Sequence, residues 1–241
     1  MQDNKNSSLV NWVGYLAITL LVILPLSVLT VRSGAWQQGL LLYALACLGS
    51  VVLLALSLVL LALPRFATQR RAVLSRAAFT LPGALLFLML LGGGDYPAIH
   101  DITTDTEDPP VFAEAPAQRG KTSNSLDIKP ESIEAQRAAY PDIATLVSAL
   151  PLEETYALAL QTATGMGWEV YRDDLNAGYI EAVATTGIMA FKDDVVIRVR
   201  TTEAGTVVDL RSVSRVGRSD LGANAARIRE FARAFAVASG G

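Results

Sequence analysis

The chain is short of the residues from which cross-links and metal sites are built. Its 241 residues include one Cys and one His. That excludes a disulfide framework, a Cys/His zinc site built within one chain, and a Cys–His nucleophile pair. Charge is scarce as well. Only 18% of residues are charged and 51% are hydrophobic, whereas a soluble chain carries about 25% charged residues. Between Asp3 and Asp95 there is no acidic residue at all. The first 94 positions hold 6 Lys and Arg against 1 acidic residue, a net +5, and the remainder holds 14 against 22, a net −8. An acidic region of that kind repels phosphodiester backbones, so nucleic acid is not an expected partner.

The apolar excess falls into three runs, about 10–31, 36–64 and 77–93. A helix needs about 20 apolar residues to cross a hydrocarbon core ~30 Å thick, so each run predicts a transmembrane helix. Trp12, Tyr15, Trp36 and Tyr96 stand near the ends of the runs, as interfacial aromatics do. A cleaved signal peptide is the alternative for the first run, but only Lys5 precedes it and no small-residue cleavage box follows. Cys47 lies within the second run and reads as a packing residue, with Ala46, Gly49 and Ser50 offering close helix approach. The segment 65–76 carries Arg65, Arg70, Arg71 and Arg76 with no acid, against Arg32 alone in the first connection. This bias predicts a cytoplasmic 65–76 loop and a cytoplasmic N-terminus. The acidic region then lies outside the cytoplasm, in the periplasm of a cell with an inner membrane. The lipid bilayer is accordingly one expected partner, and another membrane or envelope protein is a second.

Residues 95–145 hold six of the ten prolines and show neither helical nor strand periodicity, which predicts a long extended strap with a short helix near 129–140. The densest chemistry of the chain is here, in His100-Asp-Ile-Thr-Thr-Asp-Thr-Glu-Asp-Pro-Pro110. Three readings of His100, Asp101, Thr104, Asp105 and Asp108 are open. The side chains cap turns of a strap lying over the domain. Or their clustered oxygens hold a hard divalent cation, although the spacing matches no EF-hand. Or a His–Asp pair serves as an oriented base in a metal- or His/Asp-dependent hydrolase at residues 100–108. No nucleophile or oxyanion motif accompanies the pair, so no catalytic residue is assigned.

Residues 146–238 predict a small α+β domain with a four- to five-stranded antiparallel sheet and two helices on one face. The helices are expected from Pro151 to Thr164 and from Ser219 or Asp220 to Ala238, and the strands at 168–172, 179–185, 194–200 and 206–214, with Gly187–Phe191 continuing the sheet. Val195, Ile197 and Val199 alternate with Arg198 and Arg200, so the arginines occupy the face away from the apolar residues. Arg211 and Arg215 join them, with Arg218 beyond. Such a face suits a phosphate or lipid headgroup, or it pairs internally with the acidic strap.

Several stretches together resemble a known family. They are Ile99–Pro110, Gly178-Tyr-Ile-Glu-Ala182, Phe191-Lys-Asp-Asp-Val-Val-Ile-Arg-Val199, Asp209-Leu-Arg-Ser-Val-Ser-Arg-Val-Gly217 and Asp220-Leu-Gly-Ala-Asn-Ala-Ala-Arg-Ile228. The family is domain of unknown function 1499, found in bacterial membrane proteins and some photosynthetic organisms, and the likeness runs from about Tyr96 to Phe235. It implies that strap and arginine strands form one module, and it carries no established activity to transfer. The expectation is a membrane-anchored, extracytoplasmic binding or accessory module contacting an envelope protein, lipid or ion.

Overall fold

The computed structural model describes residues 2–92, 94–203 and 205–240, with side chains from residue 8 onward. Gly93, the expected end of the third apolar run, and Ala204, in the expected turn at 203–205, lie outside the described residues. The chain forms two compact units, one of residues 1–93 with 188–190 and one of residues 94–187 with 191–241.

The first unit is helical. Helix α1 spans Gln2–Arg32 and α2 spans Trp36–Ala62. A 3₁₀ turn at Pro64–Gln69, α3 (Arg70–Ala77), a second 3₁₀ turn at Ala78–Thr80 and α4 (Leu81–Leu91) follow without a break. Three stretches, Ser8–Arg32, Trp36–Ala62 and Pro64–Leu91, are long and apolar enough to cross a membrane. The basic segment 65–76, expected as a loop, is therefore helical. It consists largely of Arg, Ala and other helix-tolerant residues, and Pro64 occupies a first-turn position where its missing N–H is not needed.

Small residues let these helices meet. A methyl group on Gly39 would lie 2.8 Å from the carbonyl oxygen of Ser27 on α1, and one on Gly83 of α4 would run into Ser50 of α2. Ser50 is buried and donates to the Ala46 carbonyl at 2.8 Å, so its hydroxyl stays satisfied in an apolar setting. Cys47 is fully buried in the cluster around Leu24 and Ala46. Arg76 crosses Gly14 and donates to Asn11 Oδ1 at 2.7 Å.

The second unit is a six-stranded antiparallel sheet with helices. Strands β3 (Glu169–Asp174), β4 (Tyr179–Thr185), β5 (Lys192–Thr202) and β6 (Gly205–Ser214) are the expected four. Two three-residue strands, β1 (Asp101–Thr103) and β2 (Leu146–Ser148), bring the count to six, and both pair with β6. The order is β1-β6-β5-β4-β3, with β2 lying beyond β1 along the same edge of β6. Between them Thr104 continues the ladder, its amide donating to the Leu210 carbonyl and its hydroxyl accepting from the Leu210 amide. The outer edge of β1 is closed by Gln136 of α6 (Pro130–Ala139), whose side-chain amide bonds both the N–H and the C=O of Thr103.

Helices α7 (Leu152–Gly165) and α8 (Ala223–Ala238) contribute to one apolar core with a single sheet face. Ile180, Ala182, Val195, Ile197, Val208 and Leu210 supply that face, and Trp168, Phe231 and Phe235 stack beside it at centroid distances of 5.6 and 6.0 Å. Gly187–Phe191 does not continue the sheet. The amide of Phe191 donates to the Thr186 hydroxyl and the amide of Thr186 to the Phe191 carbonyl, which turns the chain. Helix α8 also starts later than expected, after Gly222 in the left-handed region. Asp220 still serves it, accepting from the amides of Gly222 and Asn224.

Gly178 combines a φ of +73° with a close approach in which a methyl group would collide with the Val199 carbonyl oxygen. Gly178→Ala should therefore cost about 2 kcal/mol or more, from left-handed strain and the lost Val199–Gly178 bond. Unfolding followed by Trp168 fluorescence, with Trp12 and Trp36 replaced by Phe, measures it. A loss below half that figure would mean the turn rearranges freely.

Candidate functional site

Strand alternation puts charged residues on the sheet face opposite α7 and α8. In register across β4, β5 and β6, Tyr179 stands beside Arg198 and Asp209, Glu181 beside Val196 and Arg211, and Val183 beside Asp194 and Val213. Glu181, Asp194 and Asp209 are fully buried, Arg211 is 2% exposed and Arg198 7%. Carboxylates and guanidinium groups reach such burial only when paired, because desolvation of each costs several kcal/mol. The strap supplies both the cover and most of the partners.

Asp101 takes Arg211 in a two-pronged pair, at 2.9 and 2.7 Å, and Arg211 also donates to the carbonyls of Pro110 and Leu126. Asp105 uses one oxygen to accept the amides of Glu107 and Asp108, closing a turn, and the other to accept from Arg198 and Arg200. Asp108 accepts from Arg198 through both its side chain and its carbonyl, each at 2.8 Å. Asp209 lies beneath, accepting from Arg198, Arg200 and Thr145. Glu107, at the outer side, pairs with Arg137 of α6. Arg200 is the most open of the strand arginines, with 40% of its side chain exposed.

A second set lies toward the other end of the face. Glu181 accepts the consecutive amides of Ala113, Glu114 and Ala115, which open the short helix α5 (Ala115–Gln118), together with Arg172 at 3.0 Å. Asp194 is gripped by Arg215 through Nε and Nη2 and lies 3.1 Å from Nε of Arg119. Tyr171 donates to Glu181 at 3.4 Å, and burial first, then the fields of Asp194 and Glu181, push its phenol far above the ordinary range.

Of the residues singled out from sequence, the fold brings together Asp101, Thr104, Asp105 and Asp108 with Arg198, Arg200 and Arg211. It pairs Arg215 with Asp194 instead, and Arg218 is exposed. It does not bring His100 into the cluster. His100 immediately precedes β1, and its Nδ1 lies 3.4 Å from the Arg218 carbonyl oxygen rather than beside the strap carboxylates. No three His, Cys, Asp or Glu side chains converge on a cation-sized space among the described residues. Sequence reading missed Glu181, Asp194 and Arg119, although the lone acid within Gly178-Tyr-Ile-Glu-Ala182 was a signal for the first.

The arrangement is that of an α+β module whose acidic strap is ion-paired onto a sheet, following three apolar helices. The chain belongs to the family described as "Protein of unknown function (DUF1499)", which matches residues 101–235 and so takes in the motif and strap from Asp101 onward and every arginine of the strap–sheet ion pairs. No curated protein matches it.

Two measurements test this geometry. Arg211→Leu strands the Asp101 carboxylate and two carbonyls, and should cost about 3–5 kcal/mol. Asp142→Ala removes a half-exposed pair with Arg229 and should cost less than about 1 kcal/mol. Equal effects in a urea titration would mean the buried lattice is no stronger than a surface pair. In alkali, Tyr156 behaves like Tyr171. Burial first, then its bond to Asp173, raises its pKa far above the usual 10.0. Both phenols keep their protons in the folded state while the unfolded chain releases them, so stability present below pH ~10 is lost as pH rises beyond it. Ultraviolet titration should show two tyrosines ionising only on unfolding.

Proposed function

We propose that this chain is a non-catalytic accessory module held in a cell membrane by its three apolar helices, with the sheet domain in the extracytoplasmic space contacting an envelope protein. The observation that carries this reading is the engagement of the motif itself. Asp101, Asp105 and Asp108 each accept from a strand arginine, and the His100 ring meets the Arg218 carbonyl oxygen rather than any of the three. A general base or metal ligand needs a carboxylate or imidazole free to meet a substrate, and here the convergent groups hold the strap. The hydrolase alternative loses its His–Asp pair on the same grounds. The excess of arginine at 65–76 supports an inner-membrane location with a cytoplasmic N-terminus.

The outer side of the strap is the surface this reading points to. Thr106, Glu107, Pro109, Ile128, Ile133 and Arg137 border a groove of about 560 Å³ with mixed apolar and charged walls, the character of a protein contact.

A photocrosslinking residue at Ile128, in the full chain in intact cells, should give one discrete adduct that a second substitution, Ile133→Arg, abolishes without changing the thermal midpoint. No adduct from Ile128, or an unaltered adduct pattern with Ile133→Arg, would reject the accessory role at this groove. Topology is read separately. With Cys47 replaced by Ala, Ser239→Cys should react with a membrane-impermeant maleimide in spheroplasts. Labelling only after lysis would put the domain in the cytoplasm.

A further inference from the structure

Arg119 is the one guanidinium of the strap–sheet layer whose side chain is deeply buried yet makes no hydrogen bond among the described residues. Only 5% of the side chain is exposed, and Nε, Nη1 and Nη2 all lack an acceptor in hydrogen-bonding geometry. Its Nε approaches Asp194 Oδ2 at 3.1 Å, but that carboxylate is already held by Arg215 through Nε and Nη2. Two guanidinium groups thus share one carboxylate. The neighbouring pairs do not make up the difference, because Asp101 is engaged by Arg211 and Glu181 by Arg172 and three backbone amides. Within that triad two guanidinium groups, Arg119 and Arg215, meet one carboxylate, Asp194, while Arg172 is divided between Glu181 and Asp174. Desolvation lowers the pKa of Arg119 first, Asp194 opposes it, and the fields of Arg215 and Arg211 lower it further. An arginine does not relieve such a position by losing its proton, since its ordinary value lies above 12. It is relieved by an anion.

We propose that Arg119, with Arg215 beside it, binds a small singly charged oxyanion, a carboxylate or phosphate-type group, against its Nη edge. Two parallel N–H groups match two oxygens of such an anion, and one negative charge matches the excess. The cover over the site is thin. Arg119 directly follows α5, and Gln118, Gly120 and Lys121 around it are exposed. A methyl group added at Gly120 would meet nothing within 4 Å, so no other part of the chain covers the turn at that point. Exposed Lys121 adds a positive charge two residues further along the chain. The site is distinct from the cluster of Arg198 and Arg200, where three carboxylates, Asp105, Asp108 and Asp209, outnumber two guanidinium groups. It does not depend on the accessory role: a chain with no protein partner would still bind the anion here.

The test uses the full chain in mild detergent, titrated with sodium formate and separately with sodium phosphate. Ionic strength is held constant with sodium chloride, whose anion has no pair of oxygens to meet the guanidinium fork. Wild type should gain about 5 °C in thermal midpoint with a saturating, millimolar dependence on formate or phosphate. Arg119→Met should lose that dependence and melt at or above wild type in chloride alone, because it removes an unneutralised buried charge. Arg119→Lys, which keeps the charge without the fork, should weaken the midpoint concentration at least tenfold. The guanidinium ¹⁵N resonance of Arg119 should shift along the same saturation curve, a reading that needs no variant to fold. Formate acting without phosphate would narrow the ligand to carboxylates, and the reverse to phosphates. A wild-type midpoint and resonance indifferent to both anions would overturn the proposal, as would an equal response in Arg119→Met.

Discussion

Everything in the sheet unit depends on the lattice of arginine–carboxylate pairs between the strap and the second face of the sheet. Two faces of one sheet have been buried by opposite chemistry. The first is apolar and packs against α7 and α8. The second carries Glu181, Asp194, Arg198, Asp209 and Arg211, none more than 7% exposed. Each of these ions is out of water, so each must find a partner at short range, and the partners come from a segment with little regular structure of its own. The strap cannot be a passive connection. Without it the second face would hold several uncompensated charges, and without the face the strap would have nothing to fold against.

Ionic cover differs from apolar cover in what it fixes. Apolar contacts tolerate sliding, whereas a two-pronged guanidinium–carboxylate pair is directional, and several of them at fixed strand positions leave one register. Asp105 shows the coupling. The same side chain that receives Arg198 and Arg200 also closes the turn at Glu107 and Asp108, and that turn aims Asp108 at Arg198. Thr104 behaves likewise, filling the gap between β1 and β2 with its backbone and hydroxyl while lying over Asp209. The motif is therefore a folding device in which adjacent residues serve opposite sides of one contact.

The parts of this structure legible in the sequence are those whose signal is local. Apolar runs announced the helices, and strict alternation through Val195, Ile197 and Val199 announced β5 with its two unlike faces. A three-residue strand has too little pattern to register, so β1 and β2 were invisible, and only their pairing with β6 defines them. The helix through 65–76 was hidden by its charges, which read as a loop although its residues form helix readily. At the site, the types of residue were readable and their pairing was not. Arg215 appeared to belong with Arg198 and Arg211 by spacing. Its partner Asp194 lies across the strand pair on the same face. Glu181 and Arg119 depend on contacts 66 and 75 positions apart in the chain, beyond any periodicity.

The distribution of charge within the lattice separates what is structural from what is available. At one end of the face, three strap and strand carboxylates, Asp105, Asp108 and Asp209, surround Arg198 and Arg200, and electrostatic demand there is met in full. At the other end Asp194 is shared between Arg119 and Arg215, under a turn exposed to solvent. A module that only needed its strap fastened would be served by the first arrangement at both ends. Keeping a second guanidinium in a dry position costs stability unless something meets it. The asymmetry along one sheet face thus separates an end where carboxylates outnumber guanidinium groups from an end where two guanidinium groups share one carboxylate, and the proposed anion belongs to the second.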